Sequence, residues 1–354
     1  MSLHSPPSPD YAALARRAGT VRRTRLTLLL VFLAAVSVPV LLPYFWMVTI
    51  SLSARTGGVD STVLWLSCAV LLPAAVGYGI AHIVLRRARQ RLLAAAIALA
   101  AAALGLWLLV GDALHLRNYR FLITPDLVSE IRGAATAGGQ FPWVWEAFAN
   151  SLILAGAQTI IVVIVSALAG YYLSRFAFAG RASFLQALLV LQAFPALTLV
   201  IPIFLITYWV GLLNTLVGPM LVITTLELPF FIFIMKGFFD AVPWDIEMSA
   251  LADGATRRQA FARVVLPQVR VGLIAIGIFA FIKGFEEYVF VSALRTGSSY
   301  WVMSLYLYYV AEDVMGVDYG LVAAVAVFYL LPPLVLYIFC QKYLTQMTLG
   351  GVKG

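Results

Sequence analysis

The chain has 354 residues, 62% of them apolar and only 11% charged, against roughly a quarter charged in soluble domains. Runs of about 20 apolar residues recur along it, each long enough to cross a bilayer; this excludes a soluble globular protein and points to an all-α integral membrane protein. The net charge of +8 is clustered beside those runs, as the positive-inside rule requires, which argues against nucleic-acid binding.

Residues 1–25, rich in Pro and Arg, read as a cytoplasmic tail. A first span is predicted over 26–50, too long for the apolar part of a signal peptide and lacking a small-x-small cleavage site. Apolar runs at about 63–85 and 92–111 predict a hairpin whose turn carries Arg86, Arg87, Arg89 and Arg91. Residues 112–147 hold Pro125, Gly133, Gly138, Gly139 and Pro142 and read as an outside loop. Spans follow at about 148–173, 184–210, 216–236, 268–291 and 319–340, with kinks expected at Phe194-Pro195 and Ile201-Pro202.

Eight spans place both termini inside. Eighteen Lys and Arg then lie inside and five outside (Arg55, Arg117, Arg120, Arg132 and Arg295), with Lys283 alone within a span. That asymmetry supports the count and the orientation together.

Cys68 and Cys340 lie far apart in apolar runs, and His4, His82 and His115 are scattered, so neither a disulfide framework nor a metal site is expected. No G-x-x-x-x-G-K-[ST] pattern occurs, so the chain has no ATP site of its own, and no catalytic constellation is visible.

One stretch differs from its apolar neighbours. Residues 243–267 are charged and amphipathic, and predict two short helices with a break. Asp245 and Glu247 suit the positive end of a helix dipole, and Gly254 a C-terminal turn. Thr256 and Gln259 form a capping-box pair opening a second helix, and Pro267 marks entry into the next span.

Gly254, Val264, Leu266 and Pro267 stand at the spacings of E-A-A, three residues, G, nine residues, I-x-L-P, and Asp253-Gly254-Ala255 matches its common core. The stretch thus resembles the cytoplasmic EAA loop of ABC importer permeases. The departure is at its start, which reads Met248-Ser249-Ala250 with the carboxylate one place earlier at Glu247. Asn150-Ser151-Leu152, Phe194-Pro195-Ala196, Gly211-Leu212-Leu213-Asn214-Thr215, Lys236-Gly237-Phe238-Phe239 and the closing Gly350–Gly354 are similar to the second permease of carbohydrate importers, the maltose group in particular.

The resemblance implies a core of six spans over residues 26–50 and 148–345, with the hairpin at 60–111 inserted, and tails at 1–25 and 346–354. It implies two ABC ATPase subunits that bind ATP-Mg, a second permease, and a periplasmic or extracellular sugar-binding protein. The chain itself would be a non-catalytic subunit of the bacterial inner membrane. Maltose, maltodextrin or a related oligosaccharide is the cargo expected; a polyol, a sugar phosphate or an ion-driven transporter remain as alternatives. The coupling residues it implies are Glu247, Ser249, Ala250, Asp253, Gly254, Ala255, Leu266 and Pro267, with Gly351 and Lys353 as a second contact from the tail.

Charged groups inside spans face a protein interior or a watery cavity. Glu227, Lys283, Glu286 and Glu287 are therefore candidates for the translocation path; the alternatives are an ion pair of Lys283 with Glu286 or Glu287, and a Glu227 that satisfies the kink at Pro229. The aromatic segment with Tyr300, Trp301 and Tyr306 reads as an interfacial belt or a face towards the binding protein.

Overall fold

The computed structural model describes residues 11–53, 61–85, 87–113, 115–125, 142–297, 299–312 and 318–350. Among these there are helices and turns and no β-strand, as a chain with its backbone in hydrocarbon requires, since a helix satisfies every backbone polar group internally. The helices are α1 (Tyr11–Ser51), α2 (Ser61–Val84), α3 (Ala88–Val110), α4 (Val144–Arg175), α5 (Arg181–Ala193), α6 (Val200–Trp209) and α7 (Val217–Asp240). After these come α8 (Trp244–Ala252), α9 (Arg257–Gln268, π-helical over Ala260–Val265), α10 (Arg270–Glu286), α11 (Val289–Ala293), α12 (Met303–Ala311) and α13 (Tyr319–Gly350).

Among the described residues six helices are long and apolar enough to cross a membrane, and two bent pairs, each taken as one span, bring the total to eight. The pairs are α5–α6, bent by 91° where Phe194-Pro195 interrupts the helix, and α9–α10, bent by 74° at Val269. Two boundaries differ from the sequence reading. Helix α1 begins at Tyr11, inside the segment read as a tail, because its Ala, Leu and Arg residues are strong helix formers. Helix α13 continues to Gly350 through Pro332 and Pro333.

The chain forms two compact units. The first comprises residues up to Asn118 together with Asp318–Ala324. In it α2 and α3 form an antiparallel hairpin beside α1, with Gly105 packed against Val70. Arg91 Nε donates to the Leu85 carbonyl at 2.8 Å and closes the hairpin turn. Asn118 Nδ2 donates to the carbonyls of Ser51 (3.0 Å) and Ser53 (2.8 Å) and fixes the end of α1.

The second unit holds Tyr119–Val317 and Val325–Gly354. Its core is the pairing of α4 with α7, which requires glycine at one crossing. A Cβ on Gly170 would stand 2.9 Å from the Lys236 amide nitrogen. Helix α10 packs on the same α4, with Gly284 opposite the fully buried Gln158.

Candidate functional site

The charged stretch folds as an elbow between α7 and α10, and each turn of it has a local cause. Pro243 (φ −55°, ψ 135°) stands at the N-cap of α8, and Asp245 and Glu247 occupy its first turn. Helix α8 ends in a Schellman motif: Gly254 N–H donates to the Leu251 carbonyl and Ala255 N–H to that of Ala250. Gly254 sits at φ +88°, in the left-handed region that disfavours a Cβ. Two residues later Thr256 caps α9; its Oγ1 accepts from Gln259 N–H at 3.3 Å, and Gln259 Oε1 accepts from Thr256 N–H at 2.8 Å. Residues 253–259 therefore stop one helix and start the next within a single turn of chain.

The elbow is bound to the spanning helices by a buried polar latch. The Glu247 carboxylate lies 3.0 Å from Arg175 Nε, the two side chains being 0% and 5% exposed. Tyr171 Oη donates to Glu247 Oε1 at 2.6 Å. Arg175 Nη2 also donates to the Val242 carbonyl at 2.9 Å, and the guanidinium lies over the Trp244 ring at 5.2 Å. Ser174 Oγ donates to Asp240 Oδ1 at 2.7 Å, and Lys236 pairs with Asp240. Around this latch the rings of Tyr171, Phe239 and Phe261 pack edge-on or tilted against one another. A single apolar cluster runs from Phe231 and Met235 on α7, through Val242 and Val265 of the elbow, to Ile276 and Ala280 on α10. One continuous close-packed core thus joins the elbow to α7 and α10.

The expected coupling residues thus divide. Ser249, Asp253, Gly254 and Pro267 are exposed, while Ala250, Ala255 and Leu266 are partly covered. Glu247 is fully buried, so it anchors the elbow from within and offers no surface to a partner. Trp244 and Ile246, which the sequence reading left out, are large apolar residues exposed on α8. Tyr171 and Arg175 were not among the sequence candidates: nothing local distinguishes one tyrosine in an apolar run, and an arginine at a span end is what the positive-inside rule already expects.

Among the path candidates, Glu227 on α7 is half-buried and within electrostatic reach of Lys283 and Glu287. Among the described residues no ion pair joins Lys283 to Glu286 or Glu287, and no hydrogen bond engages the Glu227 side chain. Lys283 and Glu286 are exposed, Glu287 Oε1 accepts from Phe290 N–H at 2.9 Å, and Gln192 Nε2 donates to the Leu226 carbonyl beside Pro229. Gln192 thus bonds one carbonyl in the turn before Pro229.

The aromatic segment requires a correction. Tyr300, Trp301 and Tyr306 are buried and offer no face to a binding protein. Tyr300 Oη donates to the Val291 carbonyl at 3.2 Å, and burial pushes its phenol up to about 12. Asn150 Nδ2 donates to the Trp301 carbonyl at 3.0 Å, Ser151 Oγ accepts from Met303 N–H at 2.7 Å, and Arg295 lies over the Trp301 ring. These rings wedge α12 against the start of α4, and Tyr308 is the one of the segment's large aromatics left exposed. Gly351 and Lys353 lie outside the described residues.

Membrane-length helices joined by a latched elbow define a multi-pass membrane protein. Residues 162–347, just over half of the chain, match the family described as "binding-protein-dependent transport system inner membrane component", and the chain belongs to that family. It is 32% identical to the diacetylchitobiose uptake system permease protein DasC of Streptomyces coelicolor, over 65% of this chain and 82% of that one. It is 30% identical to the trehalose transport system permease protein SugB of Mycobacterium tuberculosis, over 67% and 81%. With the maltodextrin transport system permease protein MdxG of Bacillus subtilis it shares 30% over 58% and 75%. Its fold is that of a chain from a bacterial ABC transporter that imports the acidic polysaccharide alginate (TM-score 0.60, 18% identity, covering 95% of this chain and 99% of that one). The chain is therefore an ABC importer permease of the inner membrane, in a family whose relatives above are named for sugar uptake, and this answers the ion-driven alternative.

Proposed function

We propose that this chain is one of two permeases in an importer of a di- or oligosaccharide, maltodextrin among the candidates, and that the elbow of α8 and α9 takes up the thrust of a P-loop ATPase. The carrying observation is the latch: Glu247, Arg175 and Tyr171 tie an exposed helix pair to the core shared by α7 and α10. Two ATPase subunits with ATP-Mg would supply the energy, and a binding protein would deliver the sugar on the opposite side. The elbow faces the cytoplasm on this reading, as do both termini. The exposed Trp244, Ser249, Asp253 and Gly254 would enter a cleft of the ATPase. Driving alternating access from 1:99 to 99:1 takes about 5.5 kcal/mol of differential binding, and ATP engagement by the partner provides it. Glu227, Lys283, Glu286 and Glu287 would face the sugar during passage. What supports an oligosaccharide is the set of relatives, named for diacetylchitobiose, trehalose and maltodextrin transport. The test is purification of the intact complex from native membranes, followed by ATP hydrolysis with each of those three sugars. A co-purifying P-loop ATPase stimulated by one of them through a binding protein is expected. Sugar uptake with no ATPase present would overturn the reading.

A further inference from the structure

We propose that the groove formed by α1 with the α2–α3 hairpin, together with the arginine turn near its end, binds an anionic phospholipid. The groove encloses about 390 Å³ and is lined among others by Phe45, Leu71, Ala75, Tyr78, Ala98 and Leu99. Its walls run from Leu71 to Tyr78 and from Ala95 to Ala102, about 10 Å at 1.5 Å per residue. Hydrocarbon chains fit an apolar slot of this length and lining.

The headgroup end is set by charge. Arg91 stands one helical turn before Ala95, held at the turn by its bond to the Leu85 carbonyl. Arg87 and Arg89 are exposed, and Arg86 adjoins them in sequence. Between Ser61 and Gly111 the sequence contains no Asp or Glu. Arg175, by contrast, has a carboxylate partner in Glu247. The positive-inside rule accounts for arginines at a turn, but not for an apolar slot opening one turn away from them. A phosphate headgroup with acyl chains matches both halves of the site, and each arginine at a membrane surface favours an anionic lipid about fivefold.

The test uses the full chain reconstituted in bilayers of phosphatidylglycerol and phosphatidylcholine at one to three, then released and weighed intact by native mass spectrometry. The wild type is expected to retain phosphatidylglycerol over phosphatidylcholine. Arg87→Gln with Arg89→Gln is expected to cut that preference about twenty- to thirtyfold. Ala98→Phe, which fills the slot and leaves the charges, is expected to abolish retention of either lipid. Equal retention of both lipids by the wild type, unchanged preference in the double variant, or a peptide mass in place of lipid would each overturn the proposal. So would displacement of the lipid by inorganic phosphate alone, because the slot would then contribute nothing.

Discussion

Replacing Glu247 by Ala tests the latch most sharply. The substitution leaves the Arg175 guanidinium, 5% exposed, without its carboxylate at 3.0 Å, and leaves Tyr171 Oη without its acceptor at 2.6 Å. Removing one partner of a buried ion pair costs about 3–5 kcal/mol, because the remaining charge stays buried. Local opening of the elbow should therefore become at least about a hundredfold more populated. Global melting is the wrong readout, since α4, α7 and α10 keep their own packing. The assay is hydrogen exchange of the α8 amides, residues 244–252, in the intact complex, with transport and ATP hydrolysis measured in parallel. Faster exchange confined to α8 and its surroundings is expected, with hydrolysis retained and transport lost. Glu247→Leu combined with Arg175→Met removes both charges and should restore most of the protection, as apolar replacement of a whole buried pair is often neutral. Unchanged exchange in Glu247→Ala, or a double variant worse than the single one, would refute the reasoning.

Other substitutions probe separate links. Gly254→Ala should cost about 1–2 kcal/mol through the left-handed φ of +88° alone, since its Cβ would meet nothing within 4 Å; Gly254→Asn should cost less, and hydrogen exchange of the α8 amides compares the two. Thr256→Ala loses the capping box and should destabilise the elbow by about 1 kcal/mol, visible as faster exchange in residues 257–263. Gly284→Ala would place a Cβ 1.8 Å from Gln158 Oε1 and should cost about 1–3 kcal/mol by overpacking. Adding Gln158→Ala should recover most of that loss in thermal melting of the complex, and failure to do so would locate the strain elsewhere.

The elbow was legible in the sequence because its signals are local. Gly254 as a helix stop, Thr256 with Gln259 as a helix start, and a bend after Pro267 each depend on residues within a few positions of one another. The hairpin of α2 and α3 was legible for the same reason, through two apolar runs joined by a short arginine turn. The latch was not, because Tyr171 and Glu247 are 76 positions apart and no periodicity relates a tyrosine ending one span to a glutamate beyond another. Burial of Tyr300, Trp301 and Tyr306 escaped for a related reason. An aromatic with a polar tip looks the same in sequence whether it lines an interface or packs beneath Asn150 and Ser151. The kink expected at Phe194-Pro195 is where α5 and α6 bend by 91°; a proline marks where a helix breaks but not by what angle.

The central claim is that the exposed side of the elbow meets an ATPase. Its most direct measurement is cross-linking of single cysteines in the assembled complex, after Cys68 and Cys340 are replaced by serine. Asp253→Cys and Ser249→Cys lie exposed on the elbow. Tyr308→Cys, beside Tyr288 at 4.6 Å, lies beyond the far end of α10, about 24 Å of helix away. The account predicts that a short thiol cross-linker joins Asp253→Cys and Ser249→Cys to the ATPase subunit, and leaves Tyr308→Cys unjoined to it. Cross-links to the ATPase from Tyr308→Cys and none from the elbow would contradict it.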